Sequence, residues 1–278
     1  MAAIAATEFG PGIESLASIL VSQVKVETES GVRLFLALAL SRVGPRDAGV
    51  ASCLEVLLGD AEEVVRSAAA TVLGELVNPP GSVVERLRHS VTDPTEADGV
   101  RKLAAKSLTK LTTSSNNALP TLTVLLEVRG LIKDSELSWW LDAVGKIAAF
   151  VPASEDGTQA RRLLESTAGG EDPYLAHAAM SGLARIAFAT RDVDLGWQAA
   201  TEFRRLLPRI LLTTGESDGS WHMDSEWAEP VMEALVVLSR WPEMGVRADE
   251  LRAVFYALQS HELASTRDWA DGQMALLR

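Results

Sequence analysis

Three lysines in this sequence have a spacing that could bind an anionic group. Lys102, Lys106 and Lys110 occur at four-residue intervals, and Arg101 precedes the first of them. In a helix this spacing places the lysines on one face, where their like charges repel one another. Such charges also keep an alanine-rich helix soluble, but a bound anionic group is a reasonable explanation for a row of three. We therefore treat Arg101 and the three lysines as candidate partner-binding residues.

Rows with the same spacing are expected on the second helices of four successive helical hairpins, each pointing outward and away from the apolar stripe of its helix. The rows comprise Glu63, Ser67, Thr71 and Glu75; Asp98, Lys102, Lys106 and Lys110; Asp134, Ser138, Asp142 and Lys146; and Pro173, His177, Ser181 and Arg185. Their charge changes along the chain from mixed or acidic, through basic and mixed, to weakly basic. Such a graded surface suits a protein or peptide partner of complementary charge.

A loop predicted at residues 213–224 interrupts the helical pattern and is followed by an acidic row. Trp221 and Trp227 occur in or beside this insertion, and Glu229 and Glu233 occupy the matching outward positions. Seven tryptophans against two tyrosines is an unusual balance. Tryptophans near an acidic rim are typical anchors of protein interfaces, although they could equally hold the insertion on its own repeat. All four residues are candidate partner-binding residues.

Signals for catalysis or metal binding are weak. The four histidines are scattered, and Cys53 is the only cysteine, which excludes an internal disulfide and a thiolate metal cluster. The sequence has no His-Glu-x-x-His motif, glycine-rich phosphate loop or Gly-x-Ser-x-Gly elbow. We expect no catalytic residue, metal or cofactor, and favour a protein that is not an enzyme.

The charge and the apolar segments narrow the possible partners. The formal net charge is −12 and the sequence pI is about 4.9, which opposes general binding to nucleic acid or to an anionic membrane. The first residues lack the basic and apolar regions of a signal peptide, and no apolar stretch is long enough to cross a bilayer. These features predict a cytoplasmic protein with a protein partner and no membrane.

A helical pattern that recurs every 33 to 39 residues must position these side chains. Its best copy runs from Val65 to Leu76, and the equivalent leucine-type positions are Leu40, Leu73, Leu108, Val144 and Leu183. Periods in this range indicate stacked helical hairpins, because one hairpin cannot bury its apolar face alone. We predict an all-α, right-handed α-solenoid of about six to seven hairpins in a single domain, 1–278. The approximate hairpins are 10–44, 46–78, 82–114, 118–151, 157–191, 194–241 and 246–278. Among their helices we expect Ile13–Val24, Asp98–Leu111, Leu119–Ile132 and Thr158–Thr167.

The repeated pattern resembles that of HEAT-repeat proteins. The resemblance rests on Asp60, on the series from Val65-Arg66 to Leu73-Gly74, and on partial copies at Val32-Arg33 and Val100-Arg101. It covers roughly residues 10 to 240. In such proteins the second helix of each hairpin typically lines the concave surface. The resemblance implies a protein-binding scaffold or adaptor, with the lysine row taking an acidic segment and Glu229 and Glu233 taking a basic one.

Two alternatives come from narrower resemblances. Ser138-Trp139-Trp140 and the later segment around His177 are similar to part of the HEAT-like alkylpurine DNA glycosylases. Those enzymes have an aspartate where this chain has Val144 and an arginine where it has His177, so the catalytic pair is not carried over. A nucleic-acid-binding relative without that chemistry is one alternative. A HEAT-like subunit that chaperones or modifies another protein, as in the bilin lyases, is the other.

Overall fold

The regular elements in the part of the chain that the structure describes are all helical. This computed structural model describes residues 13–112 and 115–202, with isolated positions between 241 and 275. The α-helices are α1 (Ile13–Val24), α2 (Ser30–Val43), α3 (Ala48–Leu57), α4 (Glu63–Leu73), α5 (Gly81–Thr92), α6 (Asp98–Leu111), α7 (Ser115–Glu127), α8 (Leu137–Ala148), α9 (Glu155–Ala168), α10 (Pro173–Thr190) and α11 (193–202). Short 3-10 helices cover Val128–Leu131 and Asp134–Glu136. The predicted all-α class is confirmed.

The chain divides into two compact units. Unit 1 contains Met1–Thr113 and Glu127–Leu131, and unit 2 contains Ser114–Leu126 and Ile132–Arg278. In unit 1 the hairpins α1–α2, α3–α4 and α5–α6 stack, so that α2, α4 and α6 pack side by side as the second helices. In unit 2, α8 packs against α10, and α9 packs against both. None of the helices in the described part combines the length and the apolar character that a membrane span requires.

Small residues bring the second helices close together in both units. In unit 1, Ala69 and Ala70 of α4 are fully buried, and the Ser107 hydroxyl of α6 donates to the Ala70 carbonyl at 2.7 Å. In unit 2, a Cβ placed on Gly145 of α8 would lie 2.2 Å from the Cα of Gly182 in α10. The alanines at 69 and 70 therefore leave room for α6 to lie close to α4.

Most predicted helices agree with the structure to within a few residues, and α1 and α6 have the predicted bounds. One prediction is wrong at both ends: the helix expected from Leu119 to Ile132 begins at Ser115 and ends at Glu127. Its last turn tightens into the 3-10 helix that contains Gly130, a residue that disfavours continuation of an α-helix. Helix α9 begins three residues before its predicted start at Thr158, because the Ser154 hydroxyl caps it by accepting from Gly157 N at 2.9 Å.

Arginines at equivalent positions of α2 and α4 connect each hairpin of unit 1 to the next. The Arg33 guanidinium donates to both carboxylate oxygens of Asp60, from Nε at 2.7 Å and from Nη2 at 2.9 Å. Arg66 in turn donates to Glu96, with Nη2 to Oε1 at 2.9 Å. Each arginine also donates to backbone carbonyls of its own turn, Thr28 for Arg33 and both Asp60 and Ala61 for Arg66. These bonds fix the spacing between successive hairpins.

Both arginine–carboxylate pairs are largely removed from solvent, so loss of one partner would leave the other charge buried and unpaired. The side chains of Arg33 and Asp60 are 15% and 9% exposed. Hydrogen bonding from Arg33 is the largest cause that holds the pKa of Asp60 below its ordinary value of 3.8. A lowered carboxyl pKa stabilises the fold at higher pH, so this contribution is complete above about pH 4 and is lost as the pH falls through the folded-state pKa.

Replacement of Arg66 is expected to destabilise unit 1. Arg66→Ala would leave the Glu96 carboxylate, with a side chain only 10% exposed, without its guanidinium partner. We expect a loss of about 2 kcal/mol in the free energy of unfolding. Chemical denaturation followed by circular dichroism would measure it, with exposed Arg86→Ala as the matched control. Equal stability of the two variants would contradict a structural role for the Arg66–Glu96 pair.

Candidate functional site

The lysine row lies on the side of α6 that faces away from the core of unit 1. Lys102 and Lys106 are half-buried and Lys110 is exposed. The fully buried residues Ala104 and Leu108 lie on the opposite side of the same helix. The three lysines therefore lie on the solvent side of α6, opposite its buried residues.

The neighbouring row on α4 presents small polar side chains beside the lysines. Ser67 and Thr71 are half-buried in the middle of α4, and the Thr71 hydroxyl donates to the Ser67 carbonyl at 3.0 Å. Glu63 and Glu75 are exposed at the two ends of that row. A Cβ placed on Gly99 would lie 3.4 Å from Oε1 of Glu63, so this carboxylate lies beside the first turn of α6. The surface formed by α4 and α6 thus combines a basic row with a shallow polar strip that has acidic ends.

Arg101, which the sequence groups with the lysines, is buried and only 4% exposed. Its Nη2 donates to the carbonyls of Glu96 at 2.9 Å and Asp93 at 3.2 Å. Its Nη1 donates to the Asp98 carboxylate at 3.0 Å and to the Leu131 carbonyl at 3.3 Å. Because these acceptors draw the guanidinium inward, the prediction that Arg101 contacts a partner is wrong. Arg101 instead continues the series of structural arginines begun by Arg33 and Arg66.

The row on α8 in unit 2 is internally neutralised. Ser138, Asp142 and Lys146 are half-buried, and Lys146 Nζ lies 3.0 Å from Asp142 Oδ2. The pair stands at i and i+4, a favourable spacing for an acid that precedes a base in a helix. These side chains reach the surface as predicted, but the salt bridge leaves them little net charge with which to recognise a partner.

The row on α10 does not point outward as predicted. His177 is 4% exposed and Ser181 is fully buried, because α10 packs against both α8 and α9. Burial lowers the pKa of His177 to about 4, so the imidazole is neutral near pH 7. Arg185 is half-buried. The prediction that this row forms part of an open binding surface is therefore wrong for His177 and Ser181.

The predicted insertion and its acidic row lie outside the described residues. Trp221, Trp227, Glu229 and Glu233 accordingly remain predictions. The nearby Trp241 is described and is only 1% exposed. Its ring packs edge-on against Phe188 of α10, with centroids 5.8 Å apart, and the Arg191 guanidinium lies 5.1 Å from the Phe188 centroid. Trp241 is therefore a packing residue and not an exposed anchor.

The positions that carry chemistry in the HEAT-like glycosylases lie in the core of unit 2. Trp140 is 1% exposed and its indole Nε1 donates to the Leu125 carbonyl at 2.7 Å, while Val144 is fully buried. Trp139 donates to the Glu136 carboxylate.

In unit 1, burial raises the pKa of the Cys53 thiol, which disfavours the nucleophilic thiolate. Within the described residues, no three His, Cys, Asp or Glu side chains form a group that could hold a metal ion.

Comparison with known proteins bears out the repeat pattern. Residues 50–129, which include α4 and α6 with their outward rows, match the family model described as HEAT repeats. This segment of the chain consists of HEAT repeats. No curated protein matches the chain. Among solved structures, the crystal structure of an engineered protein from a structural genomics consortium has 17% identity and covers 94% of this chain and 96% of its own. Its TM-score of 0.36 is too low to support any argument.

The residues that sequence reasoning missed are the acceptors of the HEAT-repeat arginines. Asp60 and Glu96 precede the arginines of their own hairpins, Arg66 and Arg101, by six and five residues. Both carboxylates, however, pair with the arginine of the preceding hairpin. The signal available in the sequence is the recurrence of an acid before each Val-Arg pair. That recurrence could have distinguished a structural arginine from a binding one.

Proposed function

We propose that this chain is a protein-interaction scaffold and that the lysine row of α6 binds an acidic segment of its partner. HEAT repeats commonly serve as scaffolds for protein interaction, and the lysine row falls within the HEAT-repeat segment. The observation that carries the proposal is the position of Lys102, Lys106 and Lys110 on the solvent side of α6. The basic row attracts an acidic partner segment locally. The chain as a whole, with a net charge of −12, does not.

The surroundings of the row fit an extended or helical acidic segment. Lys110 lies eight positions after Lys102, which corresponds to about 12 Å along the helix axis. Ser67 and Thr71 on the neighbouring helix are small, so a partner segment can approach the lysine row from the side of α4 without displacing large side chains. Two or three carboxylates spaced along one face of the partner would match the row. Exposed charge pairs mainly set the association rate and the specificity of such a contact.

Reversal of the lysine charges is expected to abolish partner binding without unfolding the protein. Lys102→Glu combined with Lys106→Glu should lower partner capture at least about 10-fold, since each unfavourable charge contact costs on the order of 1 kcal/mol or more. Affinity capture of the tagged full chain from its native lysate, read by mass spectrometry, is the measurement. Helicity and melting temperature should stay unchanged, because surface substitutions usually alter stability by less than about 0.5 kcal/mol.

A charge-matched control separates recognition by the row from a general change in net charge. Arg86→Glu combined with Arg162→Glu makes the same change in net charge on exposed residues of α5 and α9. A partner that is retained by this control and lost by the lysine variant supports the proposal. Raised salt should also weaken capture, because exposed charge pairs are screened within about 8 Å at physiological ionic strength. Unchanged capture by the lysine variant would refute the role of the row.

A further inference from the structure

The second helices of unit 1 repeat one another position by position. Arg33, Arg66 and Arg101 are equivalent, because each guanidinium donates to the carbonyl of the residue five positions before it, at 2.6, 2.9 and 2.9 Å. The same offsets along the chain align two sets of fully buried residues, which are Ala37, Ala70 and Ala105 and then Leu40, Leu73 and Leu108. The outward residues of α2, α4 and α6 can therefore be compared at equivalent positions.

The outward row changes in chemistry from one helix to the next. Lys102 and Lys106 of α6 correspond to Ser67 and Thr71 of α4 and to Leu34 and Leu38 of α2. Leu34 is half-buried, and Leu38 is 41% exposed. Because α4 packs against both α2 and α6, these three pairs form one surface of unit 1. Leucines lie on one side of this surface, small hydroxyl side chains in the middle and lysines on the other side.

The spacing within this surface matches a helix. The two residues of each pair stand four positions apart, which is about 6 Å along their helix. Neighbouring helix axes lie about 8–10 Å apart, and a helix with its side chains is about 10–12 Å wide. A helix that lies along α4, over the small side chains of Ser67 and Thr71, therefore has the leucines on one flank and the lysines on the other. Residues one turn apart on each flank of that helix repeat at the same interval as the pairs that they face.

The charges on the lysine side decide which helix fits. Lys102 and Lys106 favour carboxylates on the flank that faces α6, and they oppose basic residues there. The leucines on the other side favour an apolar flank, because contact with them removes apolar surface from water. Exposed ion pairs by themselves add little to affinity, so an acidic helix that also has an apolar flank binds more tightly than one that is acidic alone.

We propose that the partner segment is an amphipathic acidic helix, which lies along α4 with its carboxylates towards Lys102 and Lys106 and its apolar side towards Leu34 and Leu38. This inference rests on the proposed function of the lysine row and adds the chemistry of the segment that binds there. The α6 side selects acidic sequences, and the α2 side supplies affinity through apolar contact. A segment with only one of the two features binds weakly.

A synthetic helical peptide tests this chemistry directly. The probe is an alanine-based peptide with a glutamate at every fourth position and a leucine midway between successive glutamates, which places the two residue types on opposite sides of the helix. Fluorescence anisotropy of the labelled peptide, titrated with the full chain, gives the Kd. Replacement of the peptide leucines by alanine, or of its glutamates by glutamine, should each weaken binding at least about 10-fold, since both flanks contribute.

Leu38→Ala supplies the corresponding change in the protein. This variant should bind the probe about 10-fold more weakly and should bind the leucine-free peptide as the wild type does, because both changes remove the same contact. Leu119→Ala is the matched control, since Leu119 of α7 is exposed to a similar extent, 43%, and lies outside this surface. Thermal melting followed by circular dichroism should show that both variants are folded.

The possible failures separate this inference from the proposed function. Equal binding of the probe and the leucine-free peptide, with loss of both in Lys102→Glu combined with Lys106→Glu, would overturn the apolar contact and leave the acidic site intact. Equal affinity of Leu38→Ala and Leu119→Ala for the probe would overturn the placement of the apolar side on α2. Equal binding of the probe to the wild type and the lysine variant, or no saturable binding to either, would overturn both proposals.

Discussion

Gly145→Ala is expected to lower the free energy of unfolding by about 3 kcal/mol. The added Cβ would lie 2.2 Å from the Cα of Gly182, so backbone would meet backbone. No rotamer change can relieve such a clash, and α8 and α10 would have to separate. The intrinsic preference of helices for alanine, about 1 kcal/mol, offsets only part of this cost. Denaturant unfolding followed by far-ultraviolet circular dichroism measures the change.

Gly31→Ala supplies the control for this prediction. Gly31 also lies in a helix, α2, but nothing stands within 4 Å of the position that its Cβ would take. Only the helix preference then remains, so this variant should be as stable as the wild type or slightly more stable. Gly145→Ala variants that unfold at the wild-type denaturant concentration would show that α8 and α10 are not in backbone contact.

The stability of the protein is expected to fall by about 3 kcal/mol as the pH decreases from 6.5 to 4, because of His177 alone. Burial lowers the pKa of this histidine from 6.5 to about 4 in the folded protein. The unfolded chain therefore binds a proton over this interval while the folded chain does not. A depressed histidine pKa gives stability that is complete above about pH 6.5 and is lost as the pH falls towards the folded-state pKa.

Denaturant unfolding at a series of pH values, with His177→Gln for comparison, isolates this contribution. The variant cannot titrate between pH 4 and 6.5, so its stability should decline less steeply than that of the wild type. His89→Gln makes the same replacement at an exposed position of α5 and is the matched control. Parallel pH profiles for wild type and His177→Gln would contradict the burial of the neutral imidazole.

The helices could be predicted from the sequence because apolar periodicity and turn residues act locally. Residues Asp98 to Leu111 have an apolar stripe and a basic last turn, and the predicted bounds of α6 are those observed. The tightening around Gly130 depends on a balance between α and 3-10 hydrogen bonds that no residue pattern specifies. Local signals thus predict where helices form more reliably than how they end.

The candidate site could be predicted only in part, because a helical spacing does not say what packs against each face. Lys102, Lys106 and Lys110 are on the surface, as their spacing suggested. His177 has the same spacing in its own row but is buried, since α10 has neighbours on two sides. Arg101 turns inward towards backbone carbonyls that come from residues up to 30 positions away in the chain. Such acceptors become adjacent only when the hairpins stack.

The division into two units has a spectroscopic consequence. All seven tryptophans and both tyrosines occur after residue 132, so every one of them belongs to unit 2. Absorbance at 280 nm and intrinsic fluorescence therefore report on unit 2 alone, whereas far-ultraviolet circular dichroism reports on the helices of both units. Recording the two signals in one titration separates the unfolding of unit 2 from that of the whole chain. A tryptophan introduced at an exposed site of unit 1 would give that unit its own optical probe.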